Sequence, residues 1–330
     1  MPNHHTARDC SMYGDIKLFT GSASPELASK IADYLGLPLS GVDLIQFHNE
    51  NIFVRLKKSV RGQDVYVIQT SAPPIHRNLM ELLILLQTLR LDSAGRITAV
   101  MPYMAYSRSD KKDLPRVPIT ARLVADMIEV AGADRYMTLD LHAGQIQGFF
   151  SIPGDVLTAF HLITDHVLKL MPQLKDPVVV AADLGFAKNG RNFAAKIKAP
   201  IAFVEKRRDT NESKAKGLSL IGSVENRDVI IVDDELDTAG SMTEAVKLVK
   251  DNGARDVSIV FVHPVLSRPA IKRLEDLPVK EIITTDTIPI PYSYRDLLME
   301  KLTVLSIAPL LGEVILRAHE GRSVGEMFHE

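Results

Sequence analysis

The sequence predicts an α/β protein of two domains, each a mostly parallel sheet with helices on both faces. Three observations favour this fold class. Short apolar strands alternate with helical patterns, the chain of 330 residues is too long for one ordinary α/β core, and one part of the sequence recurs further along. The alternation matters most, because strands joined through helical crossovers pair in parallel.

Runs of apolar, often β-branched residues predict nine strands in order. They lie at 16–19, 65–69, 97–101, 136–139, 178–181, 201–204, 228–232, 257–262 and 282–284. The run at 228–232 needs both faces buried, which is typical of a central parallel strand. Helical spacing predicts helices between the strands, including one at 79–91, one that begins at Thr120, and one after residue 241 with Met242, Ala245, Val246 and Val249 on its apolar face.

An internal sequence repeat predicts that the two domains are related. In each copy a hydroxyl residue begins a helix, a Gly-Ala pair ends it, and a histidine ends the next strand. The copies lie 121 positions apart and comprise Thr120, Gly132-Ala133 and His142, then Ser241, Gly253-Ala254 and His263. We expect domains at residues 1–153 and 154–330, with the tail beyond about residue 309 packing back on the first domain.

The composition narrows the classes of function. The net charge of −2, from 39 basic and 41 acidic residues, gives no electrostatic reason to expect nucleic acid or an anionic membrane as a partner. The single cysteine fits a reducing cytoplasm, and no apolar run is long and uninterrupted enough to predict a membrane span. We therefore expect a cytoplasmic enzyme that acts on small molecules.

The most informative residues follow the strand at 228–232. Asp233 and Asp234 are paired carboxylates, which only accept hydrogen bonds and therefore suit the vicinal hydroxyls of a sugar. Small residues at 238–241 would let a phosphate approach the N-terminus of the next helix, where backbone N–H groups and the helix dipole favour an anion. A simpler alternative is a surface turn in which Ser241 caps the helix. The pattern favours a sugar phosphate, because a cap requires only one hydroxyl.

Other charged residues follow other predicted strands. The sequence has neither a P-loop nor a G-x-G-x-x-G motif, so any phosphate contacts would come from these loops. Arg108 could clamp a polyphosphate or simply lie in a solvated loop, and a lone histidine such as His142 is more often structural. Asp183 suits Mg²⁺, although it could equally cap a helix, and Lys206 with Arg208 could close over a transferred phosphoryl group.

Taken together, these motifs resemble the ribose-phosphate diphosphokinase family along nearly the whole chain. The resemblance includes the segments 80–83, 145–150 and 263–267. The stretch from Asp233 to Ser241 also resembles the phosphoribosyl diphosphate motif that phosphoribosyltransferases share. Phosphoribosyltransferases lack the duplicated first domain, so membership of that class is the less favoured alternative.

The resemblance implies two duplicated domains of the phosphoribosyltransferase type, and Mg²⁺-dependent transfer of the diphosphoryl group of ATP to ribose 5-phosphate. It implies a homo-oligomer, a hexamer built from dimers, without nucleic-acid or membrane partners. The residue roles that it implies are Lys206 and Arg208 for catalysis, Asp233, Asp234, Asp237, Thr238, Ala239, Gly240 and Ser241 for ribose 5-phosphate, Phe47, Asn49, Glu50, Asn51, Arg108 and Ser109 for the nucleotide, and His142 and Asp183 for the metal.

The chain departs from the family on the nucleotide side. Phe47-His48-Asn49-Glu50-Asn51 stands where the family has Phe-Ser-Asp-Gly-Glu, and Ser109 and Phe186 replace a glutamine and a glycine. These changes leave open the preferred donor nucleotide, and they keep a catalytically weak regulatory paralogue as an alternative.

Overall fold

The structure, a computed structural model, describes residues 13–207, 217–298 and 300–328, with the side chains of residues 206, 207 and 328 outside the description. The contacts divide the chain into two compact units. Unit 1 holds the described residues up to Leu157 together with those from Ala308 onward, and unit 2 spans Thr158–Ile307.

Unit 1 contains a five-stranded parallel sheet and a separate hairpin. Its first elements in chain order are β1 (Ile16–Thr20), α1 (Pro25–Leu35), β2 (Val42–Gln46), β3 (Ile52–Leu56), β4 (Asp64–Ile68), α2 (Ile75–Leu91), β5 (Arg96–Met101), α3 (Thr120–Ala131), β6 (Arg135–Leu139) and β7 (Gly154–Leu157). The sheet order is β1-β4-β5-β6-β7, and β2 pairs antiparallel with β3. Leu39 forms a parallel bridge to Leu18 of β1, so the chain after α1 runs outward beside β1 before it returns to β4.

Unit 2 contains a seven-stranded sheet that is parallel except at one edge. Its elements are α4 (Phe160–Leu170), β8 (Val178–Ala181), α5 (Ala187–Lys196), β9 (Ile201–Arg207), β10 (Gly217–Ile221), β11 (Val229–Leu236), α6 (Gly240–Asp251), β12 (Val257–Pro264), α7 (Ala270–Asp276), β13 (Glu281–Thr285), α8 (Tyr292–Leu298) and β14 (Leu302–Leu305). The order is β10-β9-β8-β11-β12-β13-β14, with β10 antiparallel to β9. The last helix, α9 (Ala308–Glu320), belongs to unit 1 and packs on α1.

The α/β fold class and its mostly parallel sheets are confirmed. Each predicted strand corresponds to an observed one, and the strand predicted at 178–181 has the predicted bounds. Met242, Ala245, Val246 and Val249 are all buried beneath α6, as the helical spacing predicted. Five strands escaped prediction: β2, β3, β7, β10 and β14.

The two sheets share a topology, but the sequence repeat at an offset of 121 positions does not align their equivalent strands. In each sheet the chain first pairs on one side of its first strand and then crosses to add the later strands on the other side. This change of side falls between β1 and β4 in unit 1 and between β8 and β11 in unit 2. Beside that change of side β5 follows β4 as β12 follows β11, so β12 corresponds to β5. The sequence repeat instead paired β12 with β6. The correspondence of residues was therefore wrong, whereas the duplication of the fold is observed.

Each unit buries its own apolar core between sheet and helices. In unit 1, α2 and α3 cover β4 and β5 with residues that include Leu82, Leu86 and Ile128. In unit 2, α6 and α7 cover β11 and β12. Within the described ranges, no helix has both the length and the apolar character that a membrane crossing requires.

Candidate active site

The acidic pair lies in the central strand of unit 2. β11 pairs with β8 on one side and β12 on the other, and it continues through Asp233 and Asp234 to Leu236. The prediction that the strand ends at residue 232, before these acids, was therefore wrong. The strand extends because β12 keeps pairing with it, as Asp233 lies opposite Phe261 and Glu235 opposite His263. The acids thus lie on regular backbone at the carboxyl end of the strand.

The carboxylates of this pair are held by their own backbone. Asp233 Oδ1 accepts a hydrogen bond from the Asp234 N–H at 3.0 Å, and Asp234 Oδ1 accepts one from the Glu235 N–H at 2.9 Å. Burial raises the pKa of Asp233 well above its ordinary value, and the neighbouring charges of Asp234 and Asp183 raise it further. A carboxyl group so placed is costly to ionise, and hydroxyl donors from a ligand would offset part of that cost.

The small-residue turn leads directly into α6. Ala239 adopts a left-handed conformation with φ of 59°, occupies the cap position, and has no side-chain acceptor for the first N–H groups of the helix. Ser241 lies inside the first turn of α6 and is exposed, so the cap position is not the serine's. This N-terminus of a helix of 12 residues fits an anion, because its dipole favours negative charge.

One side chain that the sequence did not indicate reaches this turn. Arg273 of α7 donates a hydrogen bond from Nη1 to the carbonyl oxygen of Thr238 at 2.8 Å. The available signal was weak, since it consists of one basic residue in the short helix after β12, 35 positions from its partner.

Asp183 lies after β8, the strand beside β11. Its Oδ1 accepts a hydrogen bond from the Phe186 N–H at 3.0 Å, which shapes the turn before α5. The alternative that Asp183 caps a helix is not observed, because Phe186 occupies the cap position of α5 and Asp183 instead stabilises the turn before it. Its effect on the pKa of Asp233 also places its charge near the acidic pair. A carboxylate has several acceptor positions, so one bond to the turn is compatible with a ligand at another.

The two predicted catalytic cations lie at the margin of the described chain. The backbone of Lys206 belongs to β9, opposite Leu218 of β10. Its side chain and the whole of Arg208 lie outside the described residues, so both roles stay predictions.

Arg108 and Ser109 lie in the loop after β5, and His142 lies in the loop after β6. Arg108 and His142 are exposed. The Ser109 hydroxyl accepts a hydrogen bond from the Thr120 N–H at 3.2 Å, and it contacts the Thr120 hydroxyl at 3.2 Å. Ser109 therefore anchors this loop to the start of α3.

The residues at 47–51 form the turn of the hairpin β2–β3. Phe47 is 50% exposed and its ring centroid lies 6.2 Å from that of Phe53. Glu50 is left-handed with φ of 67°, and Asn49 Oδ1 accepts a hydrogen bond from the Asn51 N–H at 3.2 Å. An aromatic face is thus available for stacking, while Asn49 already stabilises the turn.

The predicted metal ligands do not form a cluster of protein donors. In the described ranges no three His, Cys, Asp or Glu side chains come close enough to hold a metal ion. His142 belongs to unit 1 and Asp183 to unit 2. Mg²⁺ takes one or two carboxylates and completes its shell with water and substrate phosphates, so Asp183 fits as a ligand without such a cluster.

Comparison with known proteins connects this geometry to one family. Residues 16–132 match the N-terminal domain of ribose phosphate pyrophosphokinase, and residues 209–329 match the phosphoribosyl synthetase-associated domain. The ribose-phosphate pyrophosphokinase of Caldanaerobacter subterraneus subsp. tengcongensis is 45% identical over 314 residues, which are 95% of this chain and 98% of that protein. That of Helicobacter pylori is 41% identical over 95% of this chain and 96% of its own length.

A solved structure gives the same result. The phosphoribosylpyrophosphate synthetase of Mycobacterium smegmatis matches with a TM-score of 0.87 and 40% identity, over 93% of this chain and 99% of that one. The agreement covers both units, in sequence as well as in fold.

Proposed function

Because the chain belongs to the ribose-phosphate pyrophosphokinase family and is an enzyme of that kind, we propose that it transfers the diphosphoryl group of ATP to the C1 hydroxyl of ribose 5-phosphate. The products are 5-phosphoribosyl 1-diphosphate and AMP, and Mg²⁺ is the metal. The observation that carries this proposal is the acidic pair at the end of β11, followed after a short turn by the helix N-terminus at Ala239.

The acceptor side of the proposal rests on unit 2. Asp233 and Asp234 would accept hydrogen bonds from the ribose hydroxyls, because ionised carboxylates are acceptors only. The turn of Asp237, Thr238, Ala239, Gly240 and Ser241 would bind the 5′-phosphate through backbone N–H groups at the start of α6. The spacing supports a single ligand, since the strand ends at Leu236 and the helix begins at Gly240.

We propose that unit 1 supplies most contacts to the donor nucleotide. The residues are Phe47, Asn49, Glu50, Asn51, Arg108 and Ser109, with His142 near the metal. Phe47 offers an exposed ring for stacking on a base and Arg108 an exposed guanidinium for phosphates. Ser109 would act indirectly, because its hydroxyl is bound at the start of α3. Bound Mg²⁺ would neutralise charge on the donor phosphates, with Asp183 as its protein carboxylate.

Lys206 and Arg208 are proposed to act on the transition state. Phosphoryl transfer asks little covalent chemistry of a protein, so positioning and charge stabilisation account for most of the rate. Two cations beside the transferred group would offset the charge that develops there. Each would contribute on the order of 3 kcal/mol, by analogy with loss of a single oxyanion donor.

An assay of AMP release tests the proposal. The purified chain is incubated with ATP, ribose 5-phosphate and Mg²⁺, and each component is omitted in turn. AMP should form only when all three are present. A chain that releases no AMP would instead support the regulatory paralogue, and consumption of 5-phosphoribosyl 1-diphosphate with a free base would support a phosphoribosyltransferase.

A further inference from the structure

Arg273 links α7 to the turn between β11 and α6. Its Nη1 atom donates to the carbonyl oxygen of Thr238 at 2.8 Å. A β carbon built on Gly240 would lie 3.3 Å from the same nitrogen, so the guanidinium lies directly against the turn. The helix that carries Arg273, α7, is fixed in place because its residues Ala270, Ile271 and Leu274 are buried in the core of unit 2.

This contact fixes the orientation of one peptide group. In a trans peptide the carbonyl and the following N–H point in opposite directions. A hydrogen bond that holds the Thr238 carbonyl towards Arg273 therefore turns the Ala239 N–H to the other side of the turn. Left-handed residues at such turns group successive N–H donors into an anion-binding concavity, and Ala239 has that conformation.

Holding this turn in place has a conformational cost that Arg273 helps to offset. A left-handed conformation is unfavourable for alanine, because its β carbon crowds the backbone. The charge-assisted hydrogen bond stabilises the turn before any ligand arrives, which lowers the ordering cost of binding.

We infer that Arg273 is a positioning residue for the phosphate group of the sugar phosphate, which it influences by orienting the Thr238–Ala239 peptide. The inference rests on the proposed function for the identity of the ligand. It adds a residue outside the motif, on a different element, that sets affinity for the phosphate arm without a part in the transfer step.

Three variants test this role: Arg273→Ala, Arg273→Lys and Lys272→Ala. Lys272→Ala is the matched control, because Lys272 is an exposed cation on the same helix. The wild type and each variant are compared by calorimetry with ribose 5-phosphate and with ribose, and by steady-state kinetics. Thermal unfolding of each variant checks that the fold is retained.

We expect Arg273→Ala to weaken binding of ribose 5-phosphate on the order of tenfold, the lower range for a charged hydrogen bond. Its affinity for ribose should stay unchanged, and KM for ribose 5-phosphate should rise while kcat changes less than about twofold. Arg273→Lys should recover part of the affinity, because lysine keeps the charge and a donor without the planar fork. Lys272→Ala should match the wild type.

Two results would overturn the inference. One is unchanged ribose 5-phosphate affinity in Arg273→Ala, and the other is an equal loss in Lys272→Ala, which would indicate general charge attraction. The proposed function fails separately, if the wild type binds ribose 5-phosphate but releases no AMP from ATP. Calorimetry still reports on Arg273 in that case.

Discussion

At the scale of single residues, the sequence predicted the place of the acidic pair and the small-residue turn in the fold better than the contacts around them. Paired carboxylates followed by small residues indicated a sugar phosphate, and the structure gives those residues a strand end and a helix start. Arg273 could not be predicted in the same way. Its hydrogen bond to Thr238 depends on how α7 packs beside α6, and a contact across 35 positions leaves no local pattern in the sequence.

The first prediction concerns Asp233. Its carboxyl is partly buried and lies beside two other acids, so Asp233→Asn removes an unfavourable ionisation while keeping the shape. We expect the variant to melt at a higher temperature than the wild type at neutral pH and to bind ribose 5-phosphate more weakly. Such an exchange of stability for function is common at binding sites.

The raised pKa of Asp233 determines how its contribution to the stability of the fold changes with pH. The pKa of Asp233 in the folded chain lies above its ordinary value of 3.8, so its favourable contribution to stability is complete below pH 3.8. That contribution is lost as the pH rises through the raised pKa. The melting temperatures of wild type and Asp233→Asn should therefore converge near pH 4 and separate towards pH 7. A variant that melts lower than the wild type at pH 7 contradicts this account.

The second prediction concerns the donor nucleotide. Amides at Asn49 and Asn51 both donate and accept hydrogen bonds, whereas the acids that the family has there only accept. We expect looser discrimination, with measurable activity on GTP or CTP besides ATP, and a partial gain in ATP preference in the double variant Asn49→Asp with Asn51→Glu. The measurement is kcat/KM for the three nucleotides. A wild type that prefers ATP by several orders of magnitude would refute this prediction.

At the scale of elements, long apolar strands were predictable and short or amphipathic ones were not. β2 and β3 each place one charged residue between two apolar ones, and Val42, Val54 and Leu56 pack on the core while Asp43 and Arg55 pair outside. β7 and β14 have only four residues each, too few for a clear period. The extension of β11 through its acids depended on pairing with β12, which local propensity does not reveal.

The third prediction concerns the segment after β9. Lys206→Ala and Arg208→Ala should each lower kcat and kcat/KM for the diphosphoryl transfer together, by roughly 100-fold, because the cations are proposed to act in the transition state. Ribose 5-phosphate affinity measured by calorimetry should stay nearly unchanged. Lys198→Ala provides a control on the turn before β9, where Lys198 is an exposed cation. Variants in which only KM changes would show that these residues bind the ground state instead.

At the scale of the whole molecule, two units of one topology differ at the equivalent strand end. The end of β11 carries the acidic pair and the open turn follows it, whereas Gln69 directly follows β4 at the equivalent place in unit 1. Its side chain is buried and donates to Glu81 Oε1 at 2.9 Å, and that carboxylate also accepts from the Ser22 N–H at 2.6 Å. The hydrogen-bonding groups at this place in unit 1 are thus paired with other protein groups. The acidic pair and the small-residue turn are features of unit 2. The sequence predicted the duplication but aligned the copies wrongly, because the pattern of a helix, glycine and strand repeats within each unit.

The fourth prediction concerns the buried ion network that joins α9 to the sheet of unit 1. Asp64 is fully buried and accepts hydrogen bonds from Arg96 Nε at 2.7 Å and Nη2 at 2.6 Å, with His319 Nδ1 at 2.8 Å. Asp64→Ala leaves the guanidinium without its carboxylate partner, so unfolding by urea should show a loss of about 3–5 kcal/mol.

A control for this experiment is Asp126→Ala, which breaks a solvent-exposed ion pair with Arg122 on α3. Its loss should be about 0.5 kcal/mol or less. If Asp64→Ala proved no more destabilising than Asp126→Ala, the network would not contribute to the stability of unit 1.

The central claim, transfer of a diphosphoryl group to ribose 5-phosphate, is tested most directly by following the label from ATP that carries ³²P at the β position. In the presence of ribose 5-phosphate and Mg²⁺, the account predicts that the β label appears in the sugar product and that unlabelled AMP is released in equal amount. Label that stays in ADP, with a sugar product carrying only the γ-phosphate, would identify a simple kinase and contradict the account.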